Sequence, residues 1–227
     1  MLQITRAFVD GLEAPLVLDI GANLGGYAIP VGKLLQSAKG TVHAFEPQRI
    51  VYYQLCGNIF LNSLDNVHAS HLALGDSDDS VEIPVPEYAR FTNIGGFSLS
   101  EEFRTLNGTQ PAMTPAREKV AMAKLDSLAF PRPVNFIKLD VEGFELQVLR
   151  GAREFLRAHR HPPICFEAWS ESWFVSQKAA LLDFVRGLGY GYEQLGAYDH
   201  LAQHPDHPVQ VEVTRTPNGF GLRRKPR

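Results

Sequence analysis

Asp19-Ile20-Gly21-Ala22-Asn23-Leu24-Gly25-Gly26 closes a short apolar run that begins at Leu16. Five residues of the type Leu-Val-Leu-Asp-Ile read as a strand buried on both faces, and the glycines beyond it supply a tight turn. Residues 27–38 then carry apolar side chains at helical spacing, and Pro30 is tolerated because it falls in the first turn. A strand, a glycine turn and a helix in that order open a βαβ unit, so the expected class is α/β with a parallel sheet.

Working outward, residues 41–45 read as the second strand and 48–61 as a helix with Val51, Leu55 and Ile59 on one face. Residues 67–74 read as the third strand, 119–125 as an extra strand, and Asp126-Ser127 as the cap of a short helix. The fourth core strand is expected at 134–139, followed by a helix over 143–158 with Leu146, Leu149 and Leu156 inward. A fifth strand at 163–166, a helix at 176–186, a strand at 190–195 and a His-rich loop follow. Pro217-Asn218-Gly219, between 209–214 and 220–224, signals a hairpin that makes the last strand antiparallel. Residues 84–117 differ, because Pro84, Pro86, Gly95, Gly96, Gly108, Pro111 and Pro115 interrupt every periodicity. This insertion is read as a lid facing the substrate, with Asn93-Ile94-Gly95-Gly96-Phe97 as its glycine-hinged part.

The chain has 227 residues, a net charge of −3 and 44% apolar residues, which suits one domain over 1–227 that buries roughly 70% of its unfolded surface. A sequence pI near 6.2 leaves no broad cationic field, so nucleic acid is not expected as a partner. Arg223, Arg224, Lys225 and Arg227 gather positive charge at the C-terminus, where a frayed tail is expected. No apolar run approaches the ~18 residues of a membrane span, and no secretory signal is recognisable, so no membrane partner and a cytoplasmic address are expected. Cys56 and Cys165 form no C-x-x-C pair and read as reduced thiols. The sequon Asn107-Gly108-Thr109 matters only on a secretory route.

Two cofactors suit a glycine turn in this position. A dinucleotide needs a glycine where Asn23 stands, so that the backbone can approach the pyrophosphate. S-adenosylmethionine brings an ammonium, a carboxylate and a sulfonium but no phosphate, and a carboxylate at Asp19 beside Gly21 and Gly25 suits it better. Glu46 ends the second strand twenty-one residues beyond Gly25, where an acid accepts hydrogen bonds from ribose hydroxyls; the competing reading is a helix cap. Asp76, in Leu74-Gly75-Asp76, is the candidate beside adenine, or a turn residue.

Six blocks resemble the FkbM family of S-adenosylmethionine-dependent methyltransferases: Val17 to Gly25, Ala44-Phe45-Glu46-Pro47, Asn58 to Asn62, Ala73-Leu74-Gly75-Asp76, Leu125-Asp126-Ser127-Leu128, and Ile137-Lys138-Leu139-Asp140-Val141-Glu142-Gly143-Phe144-Glu145. The Phe-Glu-Pro and Lys-x-Asp-x-Glu-Gly-x-Glu blocks in this order carry the specificity. The resemblance implies a Rossmann-like class I methyltransferase fold, a mostly parallel seven-stranded sheet with an antiparallel C-terminal strand and helices on both faces. It also implies methylation of a hydroxyl oxygen on a sugar-containing or polyketide-type metabolite.

Lys138, Asp140 and Glu142 lie at the carboxyl end of the fourth strand, the edge where ligands bind in open α/β sheets. A lysine on such a strand must be paired or held for a ligand; a purely structural ion pair is the rival reading. Transfer to an alcohol needs orientation and a base. Asp140 is expected to orient cofactor or acceptor, Glu142 to be the base, and Lys138 to tune it, whereas Glu145 complements the helix dipole. No metal is expected; the alternative is a divalent ion between Asp140 and Glu167. Trp169, Trp173 and Phe174 are candidates for the wall of an acceptor pocket. His200, His204 and His207 have metal-like spacing, but Pro205 favours a solvated loop. The expected function is S-adenosylmethionine-dependent O-methylation of a small or glycosylated metabolite. The alternatives are an N-methyltransferase, a non-catalytic cofactor-binding module and a nicotinamide-dependent oxidoreductase.

Overall fold

The strand β1 (Leu16–Ile20) is buried at all five positions because it runs through the middle of a seven-stranded sheet. Its parallel neighbours are β2 (Thr41–Phe45), with Asp19 opposite Ala44, and β7 (Phe136–Leu139), with Asp19 opposite Lys138. The sheet is completed by β3 (Val67–Ser70), β8 (Ile164–Glu167), β9 (Gly191–Gln194) and β10 (Asp199–Gln203), in the order β3-β2-β1-β7-β8-β10-β9. Only β10 runs against the others. From β1 the chain builds one side of the sheet through β2 and β3, then returns to β1's other flank with β7 and β8. A crevice therefore opens at the carboxyl ends of β1 and β7, the topological switch point. The computed structural model describes residues 1–87, 96–106, 113–216 and 219–225.

Alternation along the strands sends side chains into two cores. On one face Leu16, Leu18, Ile20, Ile137 and Leu139 pack against α5 (Glu145–Arg150), α6 (Arg153–Ala158) and α7 (Val175–Gly187). On the other, Val17 and Phe136 meet α1 (Leu2–Val9), α2 (Ala28–Gln36) and α3 (Arg49–Leu61), with the Phe8 and Phe136 rings 5.6 Å apart. Gly32 lets α2 lie close to the sheet, since a Cβ there would stand 2.4 Å from Val67 Cγ2. Helices thus cover both faces of a mostly parallel sheet, as expected. Among the described residues no helix is long and apolar enough to cross a membrane.

The structure departs from the sequence reading in several places. Residues 67–74 are two strands: β3 stays in the main sheet, and β4 (Ala73–Leu74) leaves for a second one. That second sheet runs β4-β6-β5, built from β5 (Asp79–Pro86) and β6 (Met113–Ala123), so ordered strands enter the supposed insertion from both ends. Pro84 and Pro86 fit because β5 is an edge strand whose register shifts between them. Between these strands α4 (Glu101–Leu106) follows a segment that buries Phe97; residues 93–95 and the sequon at 107–109 lie outside the described residues. The helix expected over 143–158 is broken at Gly151, where a Cβ would stand 2.0 Å from Gly75 O. Asp126 Oδ1 accepts the Phe155 N–H at 2.8 Å and so caps α6 rather than a helix of its own.

The antiparallel strand of the main sheet is β10, within the supposed His-rich loop, and not the C-terminal hairpin. That hairpin, β11 (Val211–Thr216) with β12 (Gly219–Arg224), is a separate two-stranded sheet, and its turn at 217–218 lies outside the described residues. Within the described residues, the basic segment up to Lys225 is tied down rather than frayed. Arg224 donates to Ala7 O and, at 2.7 Å, to Asp10 O, and Arg223 pairs with Glu212 at 2.6 Å. Cys56 and Cys165 are free thiols.

Candidate active site at the switch point

The turn after β1 is held by the backbone of β2, because Gly21 and Ala22 N–H both donate to Phe45 O, at 3.1 and 2.9 Å. Gly21 has φ +78°, and a Cβ there would lie 1.8 Å from Asp140 O. Only glycine lets the ends of β1 and β7 approach this closely. Asn23 also adopts a left-handed conformation, φ +51°, a region that Asn tolerates better than most residues. Its N–H donates to Glu46 Oε2 at 2.9 Å, and the Gln48 N–H donates to Glu46 Oε1 at 2.8 Å. Glu46 therefore joins the glycine turn to the start of α3. It is only 4% exposed, and burial pushes its carboxyl up to about 7 against those two hydrogen bonds. Each carboxylate oxygen keeps acceptor capacity beyond its backbone bond.

Gly21, Asn23 and Glu46 line a pocket with Asp140 and Glu142, beside an apolar slot formed by Phe45, Leu72, Leu74, Phe97 and Leu99. The other residues assigned from sequence to the cofactor stand elsewhere. Asp19 is fully buried behind the turn, where its Oδ1 lies 3.2 Å from Lys138 Nζ. Gly25 faces Leu55 and Ile29, and Asp76 is exposed outside the pocket wall. Phe97, the last residue of the supposed lid motif, reaches the pocket wall, whereas sequence reasoning missed Leu99, which lies in the proline- and glycine-broken stretch and shows no periodicity.

Lys138 Nζ donates to Gly21 O at 2.6 Å and forms ion pairs with Asp19 Oδ1 and Asp140 Oδ2, each at 3.2 Å. Burial opposes its charge, but the two carboxylates outweigh it and hold the ammonium above the usual lysine range. Its direct partners are thus Asp19 and Asp140, not Glu142. The turn beyond β7 places Glu142 and Gly143 at φ +53° and +87°. Glu145 sustains that turn, since its buried Oε1 accepts Val141 N–H at 3.0 Å and Gly143 N–H at 3.3 Å. This role comes in addition to its place in the first turn of α5, where an acid complements the helix dipole as expected. Burial, reinforced by Asp140 and then Glu145, pushes Glu142 up to about 8.

Glu167 ends β8 opposite Asp199 of β10, and burial together with the charges of Asp140, Glu142 and Asp199 raises it to about 8. The floor of the crevice is thus rich in carboxylates, and Lys138 beside them is already committed to Asp19 and Asp140. Beside it Phe103 of α4 meets Trp169, Trp173 and Phe174 edge-on, at ring separations of 5.3, 5.2 and 5.8 Å. A Cβ on Gly143 would fall 2.2 Å from Phe103 Cδ2, so this aromatic cluster seats directly on the turn beyond β7. The three histidines do not converge. His200 stacks on Phe166 at 5.3 Å, and His207 Nδ1 lies 2.8 Å from Val209 O.

An α/β sheet with its polar pocket at the switch point, an acid closing β2 and a charged turn closing β7 defines a Rossmann-like protein. The family model described as the methyltransferase FkbM domain matches residues 19–192, and the chain belongs to the FkbM methyltransferase family. Similar proteins include the hexuronic acid methyltransferase AglP of Haloferax volcanii, 28% identical over 160 residues, covering 68% of this chain and 57% of that protein. Methyltransferase sdnD of Sordaria araneosa is 28% identical over 195 residues, covering 74% and 72%. The alignment with Methyltransferase 1 of Beauveria bassiana, at 24% identity, likewise spans only 57% of that relative's length. Among solved structures, an FkbM methyltransferase of Methylobacillus flagellatus aligns with TM-score 0.53 and 17% identity over 84% of this chain and 44% of that one. A precorrin-6y C5,15-methyltransferase of Geobacter metallireducens aligns with TM-score 0.51 and 13% identity over 89% and 87%. These two likenesses support the fold.

Proposed function

We propose that the protein is an S-adenosylmethionine-dependent O-methyltransferase acting on a hydroxyl of a small or glycosylated metabolite. Glu46 carries the reading: a buried carboxylate at the end of β2, tied to the glycine turn and retaining acceptor capacity toward the pocket, suits a ribose diol. The apolar slot beside it suits an adenine ring. Gly21, Asn23 and Asp140 are assigned to the methionine end, with Asp140 facing its ammonium. Asp19 and Gly25 are assigned indirect parts, Asp19 by fixing Lys138 and Gly25 by packing the turn on α3. Asp76 keeps only the solvent edge of the adenine side. The proposal needs no metal.

Bound there, the donor supplies an electrophilic methyl on a sulfonium. The chain's own task is to aim an acceptor oxygen along the line of displacement and to take its proton. Asp140, held by Lys138, orients, and Glu142 is the base. A carboxyl raised to about 8 is a stronger base than an ordinary glutamate once ionised, and a cationic neighbour favours that ionised form. Only deprotonated Glu142 accepts a proton, so kcat/KM should climb with pH and level off near or above 8. Glu142→Gln should flatten that limb and lower kcat by about 10²–10⁴; an unchanged profile in E142Q removes Glu142 as base.

The haloarchaeal relative is named for a hexuronic acid, and from it we extend to this chain only a hydroxyl-bearing, sugar-like acceptor. Calorimetry with S-adenosylmethionine and S-adenosylhomocysteine tests the donor. Micromolar binding should weaken by about 10²-fold in Glu46→Gln, the loss of a charge-assisted bond to the ribose. No heat from either ligand on folded protein rejects the proposal. Mass spectrometry of the product then separates O- from N-transfer.

A further inference from the structure

His161 and His204 come together at the edge of the sheet opposite the crevice. His161 precedes β8, and His204 follows β10, whose Ala202 is in register with Ile164 at the start of β8. Their rings lie face to face, 3.8 Å between centroids and 11° between planes. His204 is 8% exposed and packed so closely on Gly189 that a Cβ there would stand 2.5 Å from its Nε2. Its Nδ1 turns instead to Asp206, accepting that residue's N–H at 3.2 Å and standing 3.7 Å from Asp206 Oδ2. His161 Nδ1 is buried and has no hydrogen-bond partner among the described residues. One ligating atom from each of His161, His204 and Asp206 falls within 4.8 Å of the others, and among the described residues no other set of three ligating side chains does so.

We propose that His161, His204 and Asp206 bind a divalent transition-metal ion, with zinc as the reference case, distinct from the crevice and outside its chemistry. Two imidazoles and a carboxylate are a borderline donor set that suits zinc, with water completing a four-coordinate shell. Coordination uses the orphaned His161 nitrogen, whose burial without a partner is otherwise unfavourable. The rings must splay from their stack for both to meet one ion, with His161, the less buried of the two, as the ring that turns, and His204 Nδ1 exchanging the 3.2 Å bond it accepts from Asp206 N–H for the ion. His204 is held by Gly189, and Gln210 Nε2 fixes the loop by donating to His204 O at 2.8 Å. The ion would fasten the 204–210 loop to the entry of β8, a structural staple.

The test is calorimetric titration of zinc chloride into the untagged, chelator-treated full chain near neutral pH. The expected result is one equivalent bound and a melting temperature raised by about 5 °C or more at saturating zinc. Asp206→Asn, at an exposed side chain that folding does not need, and His161→Gln should each weaken binding at least about tenfold. Each should also remove most of the thermal shift while melting like the parent without metal. Absence of zinc binding to the parent overturns the proposal. Binding of equal strength in both variants also does so, since the ion then sits elsewhere, for instance at His43 and His68, whose rings pair at 5.0 Å across β2 and β3.

Discussion

Lys138→Met should lower the unfolding free energy by about 3–5 kcal/mol, read as a shift in urea midpoint at constant slope. The replacement nearly conserves volume, so the loss is electrostatic. Asp19 is fully buried, and Lys138 is its ion-pair partner at 3.2 Å. Without that ammonium, burial, which already raises Asp19 above the usual carboxylate range, goes uncompensated. Gly21 O would lose its 2.6 Å donor in the same change. Adding Asp19→Asn to Lys138→Met should recover a large part of the loss, because the double variant no longer buries a lone charge. A Lys138→Met protein as stable as the parent would show that the pair is not part of what holds β1 to β7.

Gly21→Ala should be comparably damaging, at about 3–5 kcal/mol, from two additive causes. A φ of +78° costs an L-residue about 1–2 kcal/mol, and a Cβ 1.8 Å from Asp140 O forces the ends of two central strands apart. The obstacle is backbone, so no side-chain rotation relieves it. Donor affinity should fall with stability, since Asn23, Glu46 and Asp140 are positioned by that turn. Thermal melts with and without S-adenosylhomocysteine check both. If Gly21→Ala melts within about 2 °C of the parent and binds equally well, the close approach of the strand ends is not required.

Much of the fold was legible because the central strands are uninterrupted apolar runs and their helices keep a regular period. What failed depended on contacts between distant segments. Gly151 breaks a helix because the Gly75 backbone passes against it, and no local pattern records such a neighbour. β10 hid inside Asp-His-Leu-Ala-Gln, whose polar ends and nearby Pro205 resemble a loop, because an antiparallel strand late in the sheet need not be apolar throughout. Residues 67–74 carry one strand-like pattern, yet the chain changes sheets between Ser70 and Ala73.

For the site, spacing brought Gly21, Asn23, Glu46, Asp140 and Glu142 to one pocket wall, since all end strands or begin turns at one edge. It did not foresee the Asp19–Lys138 pair, because strand register, Asp19 opposite Lys138, is not written in either segment alone. Phe103 was missed for a related reason. A single buried aromatic in a six-residue helix has no periodicity, and only Gly143, with φ +87° and no room for a side chain, marks where it lands.

Gly96 to Leu106 is a span shared by two compartments: Phe97 and Leu99 face the slot assigned to the nucleoside, while Phe103 rests on Gly143 and the tryptophans. If a guest at one end shifts this span, the shift reaches the other end as well. By thermodynamic reciprocity, whatever factor the first arrival adds to the second one's affinity, the second returns to the first.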